Sequence, residues 1–142
     1  MKSSEEVLSS ILKTTQMGQI GIRSVLRQPL NTELKQALVS QRQEYDSIET
    51  EAHRIANAYG YTPKELNPAV RKMTDSMTSM RLMYGDIDSK SAAMMIQGNT
   101  RGMIKGLKNR HHAKNPDTGI LSLSQKLLDT EEANIRQMQG YV

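Results

Sequence analysis

Apolar residues recur along this chain at helical spacing, and two long seams dominate the first half. Over residues 4–26, Leu8, Ile11, Thr15, Gly18, Ile22 and Val25 fall at alternating steps of three and four, which places them on one face of a helix. Ser3 or Ser4 is suited to cap its start, Glu5 and Glu6 favour the positive end of its dipole, and Pro29 ends it. A second helix starts at Asn31 or Thr32. Its seam, Leu34, Leu38, Gln41, Tyr45, Ile48, Ala52, Ile55 and Tyr59, is heptad-like and stops at Gly60, a residue suited to a left-handed C-terminal cap. The short connection predicts an antiparallel hairpin over 4–60.

From 61 to 87 the pattern loosens. Tyr61-Thr62-Pro63 and Asn67-Pro68 read as turns. Met73, Met77, Met80 and Met83 then share one face of a connecting helix, which we expect to lie on the rest of the fold or to serve as an adaptable docking face. Gly85-Asp86 breaks the segment, and Asp88 or Ser89 is expected to cap the next helix. A second hairpin occupies 88–140, with helices over 88–109 and 121–139 and a turn at Asn115-Pro116-Asp117-Thr118-Gly119. The final helix reads Leu121, Ser124, Leu128, Glu131, Ile135, Met138 as its seam. The expectation is one all-α domain over 1–142: a four-helix bundle of two antiparallel hairpins joined by a helical crossover.

Gly98, Gly102 and Gly106 repeat every four residues inside a helix. Each costs roughly 0.8–1.0 kcal/mol against alanine, so something must approach closely to offset the loss. We expect packing of another helix, within the chain or across a homodimer, or a slot for a ligand, with Gly18 and Gly21 facing the same groove. Gln41, Ser124 and Glu131 interrupt apolar seams, so they should form a hydrogen-bonded network or line a small polar pocket.

Composition removes several chemistries. The 142 residues include no Cys, Phe or Trp, ten Met and five Tyr. Disulfides, thiolate nucleophiles and Cys-ligated metals are excluded. The scarcity of rings argues against a base-stacking nucleic-acid platform. The net charge of +4 is mild and both signs are dispersed. Arg101, Lys105, Lys108 and His112 nevertheless form one basic stripe, a candidate face for an anionic partner, although solvation is its simplest role. The polar start and the absence of a long apolar run lead us to expect a cytoplasmic protein with no membrane segment.

The layout, with Thr15-Gln16-Met17-Gly18, Leu34-Lys35 and Glu51-Ala52, resembles the small ferritin-like proteins of uncharacterised function found in bacteria. The resemblance implies a ferritin-like four-helix bundle. Ferritin-like metal enzymes hold two ions with a carboxylate on each of two helices and a Glu-x-x-His pair on each of the other two. This chain departs at every element: Gln16 and Gln19 stand where the first carboxylate is wanted, Thr50 precedes His53 by three, and Glu131 precedes Asn134 by three. No cofactor is expected. Were a metal held, Glu44, Glu51, His53 and Glu131 would be the candidate ligands. Glu49 and His53, four apart, are better read as a surface pair. Adjacent His111 and His112 make a poor chelate and suit a helix C-terminus. The expected role is that of a non-enzymatic structural or interaction protein, with a homodimer or another protein as partner; the alternatives are a metal-binding ferritin-like protein and a binder of nucleic acid or another anion, nucleic acid being disfavoured.

Overall fold

The computed structural model describes residues 2–81, 85–114 and 117–142, with the side chains of residues 78–81 left aside. It is all-helical: α1 (Ser4–Val25), α2 (Thr32–Tyr59), α3 (Pro68–Arg81), α4 (Ile87–His112) and α5 (Thr118–Gln139). Among the described residues no helix is long and apolar enough to cross a membrane.

Local chemistry sets the helix ends. The Ser3 hydroxyl accepts from the Glu6 backbone N–H, and the Asn31 side chain accepts from that of Glu33. Gly60 ends α2 at φ +69°, a left-handed conformation that glycine adopts without strain. Three ends differ from the sequence expectation. Asp86, rather than Asp88 or Ser89, caps α4 by accepting from Ser89 N–H, while Asp88 accepts from the Asn31 N–H and ties the α1–α2 connection to α4. Asp117 accepts from Gly119 N–H, so α5 begins at Thr118, inside the stretch expected to be a turn. Residues 115 and 116 of that turn, and Met83, lie outside the described residues. The C-terminal end of α4 also runs on through His111 and His112.

α1 packs against α2, α3 and α4, and α5 packs against α2 and α4. Leu8, Leu12, Ile22, Leu34, Leu38, Ile48, Ile120 and Met138 form the fully enclosed centre of the core. The first two helices bury their expected seams except at Gly18, which is half-buried, and at Tyr59, which is 53% exposed at the end of α2. In α5 the buried stripe is Ile120, Leu123, Leu127, Leu128 and Met138, whereas Leu121 is 40% exposed. Ser124, Leu128, Glu131 and Met138 of the expected seam are buried, and the buried face is offset from it towards Ile120, Leu123, Leu127 and Asn134, which leaves Ile135 half-buried.

Polar contacts fix the relative direction of α1 and α4. Lys2 pairs its backbone with His112 and Lys114, and its ammonium donates to Asn109 Oδ1 at 2.6 Å. Asn109 Nδ2 donates to Ser10 Oγ at 2.6 Å. The start of α1 is thus held at the end of α4, and the two run antiparallel.

The connecting helix leaves Met73 and Met77 exposed, at 58% and 48%. α3 is anchored to α1 by Asp75, which accepts from Ser24 and makes a two-pronged contact with Arg27 at 2.9 Å. Residue 75 lies about 160–200° around the helix from 73 and 77, so seating Asp75 turns that stripe outward. The side chain of Met80 is not described.

Within the glycine line the three positions differ. A Cβ at Gly106 would meet Leu128 Cδ2 at 2.8 Å, and one at Gly102 would meet the Glu131 carboxyl at 2.5–2.7 Å, whereas nothing lies within 4 Å of one at Gly98. Gly98→Ala should therefore recover the helix propensity that glycine forfeits, about 1 kcal/mol, and raise the melting temperature by about 2–4 °C. Gly106→Ala should show no such gain, since Leu128 must move. Equal stabilisation by both substitutions in thermal melts would contradict this packing.

Candidate functional site

A cavity of about 430 Å³ opens between α1 and α4, with α3 and the segment before it as a side wall. Its walls are contributed by five helices: Lys13, Met17, Gly18, Gly21 and Ile22 from α1; Gln41 and Tyr45 from α2; Met77 from α3; Met94, Met95, Gly98, Asn99, Arg101, Gly102 and Lys105 from α4; Glu131 from α5. Small residues on α1 and α4 open this space. A Cβ at Gly18 would strike the Tyr45 ring at 2.7 Å, and one at Gly102 would strike Glu131. These two glycines make room for two large polar side chains that reach in from the opposite helices.

The inner end is polar and enclosed. Tyr45 Oη donates to Asn99 Oδ1 at 2.6 Å, Asn99 Nδ2 donates to the Met95 carbonyl at 2.7 Å, and Asn134 Nδ2 reaches Asn99 Oδ1 at 3.4 Å. Gln41 Nε2 donates to Gln137 Oε1 at 2.9 Å. Two buried oxygens of this lining, Glu131 Oε2 and Gln41 Oε1, have no hydrogen-bond partner. Glu131 is 1% exposed. Burial pushes its carboxyl up to about 8, against the opposing pull of the neighbouring Tyr45 hydroxyl, so the group is neutral at pH 7. Burial, and then the proximity of Glu131, raise the Tyr45 hydroxyl well above its ordinary value.

The mouth has the opposite character. Lys13, Arg101 and Lys105 stand around it, and among the described residues none of the three is in an ion pair. Partial burial, then the Lys13 and Lys2 charges, hold Lys105 below its ordinary value. The basic stripe therefore divides: Arg101 and Lys105 turn to the cavity, while Lys108 and His112 are exposed farther along α4 and do not line it.

The seam residues thus give a network and a pocket together. Gln41 and Glu131 line the cavity, whereas Ser124 is buried outside it. Tyr45, Asn99 and Asn134, the hydrogen-bonded core of the site, were missed: Tyr45 passed for an apolar seam residue, and only the shared face of Glu131 and Asn134, three apart on one helix, hinted at the rest.

The four metal candidates are not brought together. Glu44 is exposed on α2, Glu51 pairs with Arg54 at 2.6 Å, and Glu131 is buried at the cavity. Glu44 and Glu51, seven apart, share a face of α2 but stand about two turns from each other, His53 is turned about 160–180° from both, and Glu131 belongs to another helix. The donor set at the centre, one neutral carboxyl with a phenol and three amides, does not fit a ferritin-like pair of metal ions. A different group does assemble. Glu49, His53 and Glu65 place ligand atoms within 4.8 Å of one another, the one such group of His and carboxylates among the described residues. Buried Gln16 organises it, donating to Glu49 Oε2 at 2.9 Å and Glu65 Oε1 at 3.0 Å while accepting from Leu66 N–H at 2.8 Å. The spacing of Glu49 and His53 was visible in the sequence; Glu65 comes from a non-helical segment where no periodicity could point to it.

No protein-family model, curated protein or solved structure matches this chain, so the geometry alone carries the functional argument.

The cavity carboxyl gives a pH prediction. Glu131 titrates near 8 when folded and near 4.5 when exposed, so the unfolded state loses its proton first as pH rises. The stability associated with the neutral buried acid is full below the unfolded value and is lost between the two, at up to about 1.4 kcal/mol per pH unit. Glu131→Gln, neutral throughout, should match the wild type near pH 5 and exceed it at about pH 9, by an amount of the order of a few kcal/mol. Melts in which the two curves stay parallel from pH 5 to 9 would contradict the buried titration.

Proposed function

We propose that this chain is a non-enzymatic binding protein, a four-helix bundle of ferritin-like layout, whose interior cavity takes a small organic molecule where ferritin-like enzymes keep metal. The bundle reading is supported by the pairings α1–α2, α2–α5, α5–α4 and α4–α1, which close a ring, with α3 as the crossover on its flank. The binding reading rests on one observation: a cavity of about 430 Å³ that keeps two buried oxygens without partners at its inner end. That volume lies in the range of small-molecule sites, and such sites combine apolar walls with a few converging polar groups. An unpaired buried oxygen is costly, and a bound donor would remove the cost. The lining methionines, Met17, Met77, Met94 and Met95, can repack around an apolar body. Lining side chains that could act as acid or base are not matched by an activated nucleophile, which favours binding over catalysis.

Titration with a neutral fluorescent probe such as 1-aminoanthracene should give saturable binding at one site per chain. Gly98→Leu, which places a bulky group at the open rim, should weaken it at least tenfold while leaving the fold intact by circular dichroism. Binding that is unsaturable, or indifferent to Gly98→Leu, would overturn the proposal.

A second reading is favoured by Glu49, His53 and Glu65. A histidine and two carboxylates, oriented from behind by Gln16, form a donor set for a borderline divalent cation. With His111 and His112 replaced by alanine, Co(II) should bind in a 1:1 complex with a visible absorption band that His53→Ala abolishes. A band unaffected by His53→Ala, or none, would reduce the group to an ion pair that secures residues 61–67.

A further inference from the structure

The cavity has two chemically distinct ends, and the difference specifies its occupant. Lys13 and Lys105 approach the opening from α1 and α4, and Arg101 stands one turn before Lys105 on the same helix. Among the described residues the only carboxyl in the lining is Glu131, at the inner end. Because it is neutral at pH 7, it neither offsets the three cations nor attracts a fourth. Like charges gathered without a counter-ion repel one another, and burial, ahead of the nearby Lys13 and Lys2 charges, disfavours the charged form of Lys105. An anion at the opening would relieve that repulsion, and a guanidinium with two ammonium groups offers the donors to hold one. Inside the mouth the walls are apolar, formed by Met17, Ile22, Met94 and Met95, and beyond them the lining holds, among the described residues, no cation that could stabilise a buried negative charge.

Resting on the binding reading above, we infer that the cavity's ligand is an anionic amphiphile: a carboxylate or similar oxyanion held by Lys13, Arg101 and Lys105 at the mouth, with its apolar body directed inward against the methionine-rich walls. The polarity fixes the orientation. Reversed, the ligand would place a charge beside the neutral Glu131 carboxyl and the unpaired oxygen of Gln41, both in a desolvated setting. A cationic amphiphile is opposed at the entrance, and a neutral one leaves the three cations unmatched.

The test holds the apolar body constant and changes the head group. Octanoate, octanol and octylammonium, each below its aggregation threshold, are titrated into the full chain at pH 7 and low salt and followed by two-dimensional NMR. Octanoate should bind at least tenfold more tightly than octanol, with octylammonium weakest, and raising the salt should narrow the gap. Lys105→Gln and Arg101→Gln, exposed and unpaired positions whose replacement spares the core, should each reduce the octanoate preference severalfold and leave octanol unchanged. If all three compounds bind alike, the anionic class is overturned while the cavity reading stands. If none perturbs the resonances of Met17, Ile22 or Met95, the cavity reading fails as well. Octanoate binding that survives both substitutions undiminished would also overturn the assignment, since the head group would then be held elsewhere.

Discussion

The burial of one carboxyl, Glu131, constrains the middle of this molecule. Its side chain reaches from α5 into the space between α2 and α4, and it fits only because α4 presents Gly102 there, with no Cβ to occupy the last 2.5 Å. Placing an ionised carboxylate in such a setting would cost several kcal/mol, so the protein keeps the group protonated. Tyr45, Asn99 and Asn134 follow from the same constraint. Each is a polar group brought to the inner wall with a partner, and Gly18 on α1 is the matching concession that admits the tyrosine ring. Two helices give up side chains so that two others can send polar ones inward.

That exchange also explains the glycine line, whose helical cost of nearly 1 kcal/mol per residue requires compensation. Gly106 is compensated by Leu128, which fills the space a methyl would take and lets α5 sit close to α4. Gly102 is compensated by Glu131. Gly98 faces open space at the cavity rim, and nothing within the chain offsets its cost. A ligand held in the cavity, as proposed above, would lie beside this glycine and supply the contacts the described residues do not.

How far the fold could be read from sequence depended on whether a residue's role was set by its own helix or by a neighbour. The seams of α1 and α2 were legible because most of their positions are apolar and keep the helical period across Thr15 and Gln41, and Gly60 marked the end of α2 through a backbone requirement of its own. The α5 seam was legible at Ser124, Leu128, Glu131 and Met138, but Leu121 and Ile135 drew it off the true centre of the buried face, where Asn134 passes for a surface residue. The Met face of α3 was read as lying on the fold or as a docking face, and its rotation is set by one acid, Asp75, through partners on and just after α1. At the site, Glu131 and Gln41 were conspicuous as polar residues on apolar faces. Tyr45 and Asn99 were not, since a tyrosine passes for a hydrophobe and an asparagine for a surface residue until the neighbouring helix is in place. The basic stripe was visible as a line, but that its first half turns to a cavity depends on Lys13, a residue of another helix.

The segment between the hairpins completes this logic, because it forms a wall of the cavity without having a strong core of its own. It is positioned by hydrogen bonds to α1. Ser9 Oγ accepts from Lys64 N–H at 2.8 Å, Gln16 accepts from Leu66 N–H, and Ser24 and Arg27 hold Asp75. Three anchors spaced along one helix fix where residues 61–77 run, and Leu66, Thr74 and Met77 reach the cavity from there. Ser9 and Gln16 are spaced by seven, two turns of α1, and Ser24 lies a further eight along, so one side of that helix serves as a polar rail for the crossover while another lines the cavity and a third meets the core. A wall attached by polar contacts can be displaced at less cost than a helix seated in the apolar core, and the exposed Met77 at its edge is a flexible side chain. The cavity is therefore rigid where α2, α4 and α5 meet around Glu131 and adaptable where α3 borders the mouth, a division that suits entry of a ligand past the crossover and its retention against a fixed inner end.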